Sequence, residues 1–167
     1  MVQWVFSPLD KSFNRSAFDC GKPQLNNYLQ KYAWQNQLKR YSITFVATQN
    51  SSKDIASYYC ASASSIEFTK IPNSLTKKLP KYPAPIMLIG QLAVDKTMQG
   101  RGLGKILLMH ALARAVRISS EMGIFAVRVD AIDREAENFY LKYGFVALND
   151  AESSLILPIE TIIASRQ

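Results

Sequence analysis

Three glycines crowd into Gln99-Gly100-Arg101-Gly102-Leu103-Gly104, between an almost unbroken apolar run at Ile86–Val94 and the most regular amphipathic stretch of the chain, 102–122. The apolar run reads as a strand buried on both faces. On a helical wheel, 102–122 keeps only His110, Arg114, Arg117 and Glu121 as a broad polar face, opposite Leu103, Ile106, Leu107, Leu108, Leu112, Val116 and Ile118. A buried strand, a glycine turn and a long helix in succession imply a layered α/β fold with its ligand near the strand–helix junction. Glycine reaches backbone conformations closed to other residues, and a helix start presents unpaired N–H groups at the positive end of its dipole. A pyrophosphate suits such a place, with Arg101 and Lys105 flanking it. A chain turn that holds no ligand is the plainer alternative.

The other segments arrange themselves around this unit. Val2–Leu9 alternates as a strand, and Leu25, Tyr28, Leu29, Tyr32 and Ala33 recur at helical spacing behind Pro23, a residue suited to a first helical turn. Ser42–Thr48 and Ile55–Ile66 predict a hairpin about Asn50-Ser51-Ser52-Lys53. Residues 67–85 hold four of the seven prolines and read as a basic loop with room for a short helix. Gly123 breaks the long helix, Ile124–Val129 predicts a strand, and Asp133 caps a helix through Tyr140 that ends at Gly144. Phe145–Leu148 and Leu155–Ile159 predict two final strands. The expected fold is a mixed sheet of about six or seven strands with about four helices on its two faces, in a single domain over 1–167.

Charge adds a functional constraint. Residues 1–117 carry sixteen Lys and Arg against five Asp and Glu, while 118–167 carry four against eight. Two stretches hold no acid at all: 20–53, with Lys22, Lys31, Lys39, Arg40 and Lys53, and 68–94, with Lys70, Lys77, Lys78 and Lys81. Tracts of one sign this long favour a positive field that attracts phosphate, against the bland alternative of mere solubility. Cys20 and Cys60 are too few for a disulfide-built fold and read as packing residues in a reducing cytoplasm. No basic leader with an apolar run opens the chain and no apolar stretch is long enough to span a membrane, so neither a signal peptide nor a membrane anchor is expected. One histidine and two distant cysteines offer no metal-ligand cluster.

The glycine spacing is neither that of the Gly-x-x-x-x-Gly-Lys-Ser/Thr loop nor that of the Gly-x-Gly-x-x-Gly fingerprint, which sets nucleotide hydrolysis and hydride transfer aside. Gln99-x-x-Gly102-x-Gly104 instead resembles the Gln/Arg-x-x-Gly-x-Gly/Ala signature of the GNAT N-acetyltransferases. Leu92-Ala93-Val94-Asp95 resembles that family's preceding strand, Asp130-Ala131 closes its next one, and Ala136–Phe145 is similar to its Ala-x-x-Phe-Tyr-x-x-x-Gly-Phe segment. More narrowly, Phe18-Asp19-Cys20-Gly21, Leu25–Leu29, Tyr58-Tyr59, Pro80-x-Tyr82-Pro83-x-Pro85 and Gln91–Val94 are similar to the GNAT toxins of type II toxin–antitoxin systems. Gln91 stands where those toxins usually carry Arg, and Asp133 where many GNAT proteins carry Asn.

The resemblance implies a GNAT fold, acetyl-CoA as donor, and CoA contacts along Leu92, Ala93, Val94, Gln99, Gly100, Arg101, Gly102, Leu103, Gly104 and Lys105, with Asp133 and Phe139 beside them. For the toxin subgroup it also implies transfer to the amino acid of charged tRNA, a cognate antitoxin, commonly of ribbon-helix-helix type, and a homodimer. Lys22, Lys31, Lys39, Arg40, Lys77, Lys78 and Lys81 are then candidates for holding tRNA phosphate. Acetyl transfer needs a neutral amine, a polarised carbonyl and a proton for the departing thiolate. Amides at the edge of Leu92–Val94 can serve the pantetheine and the thioester oxygen. From spacing alone Tyr140 reads first as a core aromatic beside Phe139 and Phe145. Its phenol, protonated at neutral pH, is also the candidate general acid, and the resemblance implies that role. An α-amino group with a pKa of about 7.7–8.0 is partly neutral already, so no strong base is required. Glu67 and Asp95 read mainly as strand-end carboxylates able to assist through water, and His110 as a surface or CoA-side residue. A GNAT enzyme acting on a small-molecule or protein amine, and a non-catalytic binding module on the same scaffold, are the competing functions.

Overall fold

The structure, a computed structural model, describes residues 3–149 and 151–166. Seven strands form one mixed sheet in the order β1-β2-β3-β4-β5-β7-β6. They are β1 (Trp4–Pro8), β2 (Ile43–Gln49), β3 (Ile55–Ile66), β4 (Ala84–Val94), β5 (Ala126–Asp130), β6 (Val146–Leu148) and β7 (Ala151–Pro158). The helices are α1 (Pro23–Asn27), continued by a π-helical turn over Tyr28–Tyr32 into α2 (Ala33–Leu38), then α3 (Leu103–Ser119), α4 (Arg134–Lys142) and α5 (Ile159–Ser165). The α/β mixed sheet expected from the sequence is borne out. Val2, placed in the first predicted strand, lies outside the described residues.

The chain divides into two compact units. The first takes residues up to Ser62 and Gly90–Ala111. Its β1, β2 and β3 pair antiparallel, with Phe6 opposite Ala47 and Val46 opposite Tyr58. Strand alternation sends Val46, Tyr58 and Cys60 to one face, where Leu9, Phe18, Leu25, Leu29 and Ala33 bury against them. Tyr58, fully buried, donates its hydroxyl proton to the Leu25 carbonyl at 2.6 Å. The other face carries an aromatic cluster: Phe45 stacks on Tyr59 at 5.1 Å, Phe6 stacks on His110 at 4.1 Å, and the Tyr59 hydroxyl lies 2.9 Å from His110 Nδ1. His110, expected as a surface or CoA-side residue, is therefore a half-buried member of a packed ring cluster. Both cysteines are free and buried, as packing residues would be. After α2 the chain turns through Arg40, which takes the left-handed φ of 61° usual for glycine while the Tyr41 N–H closes onto the Asn36 carbonyl at 2.9 Å.

The second unit takes Ala63–Ile89 and the chain from Leu112 onward. Here β4 and β5 pair in parallel, Ile86 opposite Ala126 through Ile89 opposite Val129, and β7 continues the sheet antiparallel to β5. Ile66, Ile71, Ile86, Ala126, Leu148 and Ile156 form its core. The proline-rich 67–85 segment holds short helical turns within its loop, as the sequence leaves room for. Two 3-10 turns, Phe68–Lys70 and Asn73–Leu75, occupy it, and Asn149 Nδ2 donates to the Thr69 and Ile71 carbonyls at 3.2 and 3.1 Å.

Three expectations change. The apolar run of β4 is deeply buried at Ile86, Met87, Ile89 and Ala93, but Gly90 is exposed and Gln91 and Leu92 are half-buried. The long helix stops at Ser119 and not near 122: the following turn closes mainly by i→i−3 bonds, Ser120 N–H to Arg117 and Glu121 N–H to Ile118, beside the Ser119 and Ser120 hydroxyls that donate to the Val116 and Arg117 carbonyls. Ile159 does not end a strand: Pro158 closes β7 and α5 follows.

Candidate active site

The glycine loop combines backbone conformation with an uncapped helix. Gly100 and Gly102 adopt φ of 76° and 79°, and a Cβ built on either would meet no atom within 4 Å. Backbone conformation, not crowding, therefore demands glycine there, and the space above the loop stays open. Gly102 occupies the N-cap position of α3, since its carbonyl accepts the first helical N–H, that of Ile106, at 3.2 Å. It has no side chain to turn back on the helix, and the first turn of α3 contains no acid. The N–H groups of that turn, which lack helical acceptors, are left facing outward with the positive end of the dipole. Arg101 and Lys105 are exposed beside them. Gly104 sits inside the first turn of α3 and takes no left-handed φ.

Gln99 behaves differently from its neighbours. Its Nε2 donates to the Val94 carbonyl and to the Cys20 carbonyl, each at 2.9 Å, so both amide protons hold the chain and neither points to a ligand. Asp95, read from sequence mainly as a strand-end carboxylate able to assist through water, is likewise engaged. Its Oδ1 accepts from Thr97 N and Oγ1 at 2.9 and 2.7 Å, and its Oδ2 accepts from Asp19 N at 3.0 Å. Burial alone would raise its pKa, but the hydrogen bonds from Thr97 and Asp19 outweigh that and hold the carboxyl below the usual range. Asp95 is a capping carboxylate and not a base.

Leu92, Ala93 and Val94 end β4. Among the described residues the β4–β5 pairing stops at Ile89 opposite Val129, whereas β4 runs on to Val94. That edge of Leu92–Val94 is thus not taken by β5, which leaves amides able to bind an extended ligand.

In the second unit, Asp133 caps α4 as its sequence predicts, its Oδ1 accepting the Ala136 N–H at 2.8 Å. Glu135 and Glu137 fill the first turn, Lys142 the last, and Gly144 leaves the helix at φ of 93°. Tyr140 is buried, its ring packed against Phe139 at 5.3 Å and Phe145 at 5.4 Å. Among the described residues its hydroxyl makes no hydrogen bond. Desolvation pushes its phenol above the ordinary range, which keeps it protonated at any physiological pH. The two readings from sequence, core aromatic and proton donor, are therefore compatible: ring packing fixes the hydroxyl and burial keeps its proton.

Of the candidate phosphate-holding cations, Lys31, Lys39 and Arg40 are exposed along the helical segment of the first unit, with Lys22 half-buried at its start. Lys77, Lys78 and Lys81 are exposed after the second 3-10 turn of the other unit. Among the described residues no cluster of His, Cys, Asp or Glu could hold a metal ion, and no helix is long and apolar enough to cross a membrane.

Residues 40–147 match the family model described as an acetyltransferase (GNAT) domain. The chain belongs to the GNAT acetyltransferases. A tRNA-acetylating toxin of Mycobacterium tuberculosis is 33% identical over 130 residues, covering 78% of this chain and 76% of that protein. The solved structure of AtaT complexed with acetyl-methionyl-tRNAfMet has a TM-score of 0.92 at 26% identity, covering 99% of this chain and 100% of that one. AtaTR bound with AcCoA has a TM-score of 0.87 at 27% identity, covering 98% of each chain.

This GNAT enzyme is an acetyl-CoA-dependent N-acetyltransferase. The loop fits that donor on its own terms, because two left-handed glycines, open space, an acid-free first turn and two flanking cations are what a diphosphate requires. Sequence reasoning missed the contacts that brace this loop. Asp19 reaches Asp95 and Lys96 across more than seventy residues, Asn26 holds Asp19 from seven residues away, and only the Phe18–Gly21 and Leu25–Leu29 motifs pointed near them.

Proposed function

We propose that this chain is the toxin of a type II toxin–antitoxin system, transferring acetyl from acetyl-CoA to the α-amine of aminoacyl-tRNA and so blocking translation. The observation that carries the acetyl-transfer chemistry is the uncapped, acid-free start of α3 behind two left-handed glycines. The choice of acceptor is supported by the likeness to a tRNA-acetylating toxin and to AtaT complexed with acetyl-methionyl-tRNAfMet. The acid-free basic tracts favour a polyanionic substrate over a small amine.

In this reading, the backbone of Gly100–Gly104 with Arg101 and Lys105 holds the diphosphate, and Gln99 shapes that loop. The open edge of Leu92, Ala93 and Val94 orients the pantetheine and polarises the thioester carbonyl. Phe139 and Asp133 complete the donor site. Acetyl-CoA supplies an activated acyl carbon. The acceptor amine, neutral in part without a base, forms the new C–N bond as the C–S bond breaks. Tyr140 gives its phenolic proton to the leaving sulfur and is restored by the proton the amine releases. Lys22, Lys31, Lys39, Arg40, Lys77, Lys78 and Lys81 hold tRNA phosphate. The protein works in the cytoplasm as a single catalytic domain and a homodimer, restrained by an antitoxin of ribbon-helix-helix type.

The test is acetyl transfer to purified charged and uncharged tRNA. Transfer is expected only to the charged form, falling steeply as salt rises. Equal labelling of both forms, or activity on polyamines or peptides with indifference to tRNA, overturns the choice of acceptor.

A further inference from the structure

We propose that Asp19, Asn26 and Gln99 form a latch that fixes the 95–102 loop in its ligand-ready shape, making them positioning residues for acetyl-CoA binding; this rests on the reading of the loop as the diphosphate cradle. Apart from the Asp95-capped 3-10 turn at Lys96–Met98, a loop with two left-handed glycines has little shape of its own, because glycine has the most backbone freedom to lose. Something outside it must define its path.

The hydrogen bonds show what does. At the near end, the Asp95 N–H donates to the Ala56 carbonyl at 2.8 Å and Asp95 Oδ2 accepts the Asp19 N–H at 3.0 Å. The Lys96 N–H donates to the Asp19 carbonyl at 2.8 Å, and Lys96 Nζ pairs with Asp19 Oδ2 at 2.9 Å. At the far end, Gln99 Nε2 joins the Cys20 and Val94 carbonyls, each at 2.9 Å. The Cys20 carbonyl is itself aimed, since Asn26 Oδ1 accepts the Cys20 N–H at 2.8 Å. Asn26 Nδ2 in turn donates to Asp19 Oδ1 at 2.9 Å, an atom that also accepts the Gly21 N–H at 2.9 Å. One short turn, Asp19–Gly21, thus grips both ends of the segment that leads into the glycines.

The latch lies outside the apolar core. Gln99 is exposed, and Asp19 and Asn26 are half-buried. Its loss therefore loosens the cradle before it threatens the fold, and a ligand must then pay for ordering that was built in beforehand. The geometry also sets a chemical rule at position 99: the side chain must donate twice to carbonyl oxygens. A carboxamide or a guanidinium can do so, whereas a carboxylate has no proton to give and would repel both.

The experiment compares Gln99→Glu, Gln99→Arg and Asn26→Asp in the full chain. Titration calorimetry gives the acetyl-CoA Kd, and steady-state kinetics give KM for acetyl-CoA and for charged tRNA. Gln99→Glu and Asn26→Asp are expected to raise Kd and the acetyl-CoA KM by about tenfold, with the tRNA KM moving less than about twofold, since only the donor cradle loses its preorganisation. Gln99→Arg is expected to restore donor affinity to near the starting value. An unchanged Kd in Gln99→Glu, an arginine variant as weak as the glutamate one, or equal shifts in both KM values overturns the latch. Gly104→Val separates this from the reading beneath it: a branched Cβ in the diphosphate path should abolish donor binding, and retained affinity there defeats the cradle itself and not the latch.

Discussion

Helix α3 begins on Gly102, which has no side chain to offer its own backbone, and carries no acid in its first turn; α4 begins on Asp133, whose carboxylate accepts the Ala136 N–H at 2.8 Å, with Glu135 and Glu137 just inside. Both helices face the same physical problem, four N–H groups without acceptors at a positive dipole end. In α4 the chain solves it internally with the Asp133 carboxylate, at the start of the helix that holds Tyr140, about two turns on, in its aromatic packing. In α3 the problem is left open, and Arg101 and Lys105 add to the positive field. The difference marks where a diphosphate can bind: an unsatisfied helix start suits an anion where the chain withholds its own and supplies cations instead.

The sharpest way to break this contrast is to make the start of α3 resemble that of α4. Gly102→Asp places a carboxylate at the N-cap, at the cost of some strain at the left-handed φ observed there. Loss of two charge-assisted hydrogen bonds at about 1.5 kcal/mol each, before any repulsion, weakens acetyl-CoA by at least about a hundredfold. Calorimetry should give a nearly flat trace while circular dichroism shows the fold intact. Undiminished binding would mean that the diphosphate sits elsewhere.

Next in size is the residue that α4 carries. Tyr140→Phe keeps the ring packing and removes only the proton, so turnover should fall about 10²-fold with the acetyl-CoA Kd unchanged. Pre-steady-state assays of acetyl transfer measure this directly. A turnover rate within twofold of the parent excludes Tyr140 as the acid and leaves it the core aromatic that spacing alone suggests.

Much of the contrast was legible in the sequence, because both helix starts are written in local signals. Gly-x-Gly-x-Gly after a buried strand, and Asp133 three residues ahead of Ala136, are short-range features that few neighbours can override. What escaped was set at long range. Residues of β7 before Leu155 hold Glu152, Ser153 and Ser154, too polar to read as a strand, yet Ser154 registers opposite Asp130 of β5. The strand expected over Leu155–Ile159 runs one residue too far, because Pro158 cannot donate to a sheet ladder and stands where α5 starts. The bonds from Asp19 and Gln99 join segments 76 and 79 positions apart, which no periodicity encodes.

A smaller effect tests whether Asp133 is needed for its geometry or for its charge. Asp133→Ala removes the α4 cap and should cost about 1 kcal/mol, whereas Asp133→Asn, an equally good cap, should restore most of it. At this chain length 1 kcal/mol corresponds to a shift of about 2–4 °C in Tm. If the asparagine variant melts with the alanine one, the charge acting on the dipole matters more than the hydrogen bond, and the two helix starts differ chiefly in electrostatics.

The smallest predicted effect concerns acid, and it separates the brace of the α3 loop from the start of the helix. Lys96, the Gly21 N–H and Asn26 together lower the Asp19 carboxyl from 3.8 to about 2. A carboxyl whose folded value is depressed binds its proton more readily in the unfolded chain, so its contribution is complete above about pH 4 and drains away as pH falls toward 2. Asp19→Asn should therefore flatten part of the decline in Tm over that interval and leave the slope near neutrality unaltered. Because Asp19 and Lys96 are both partly exposed, salt should narrow the difference between parent and variant. Parallel Tm profiles for the two proteins between pH 4 and 2 would show that Asp19 holds no such proton-linked bond, and that the loop is braced by backbone contacts alone.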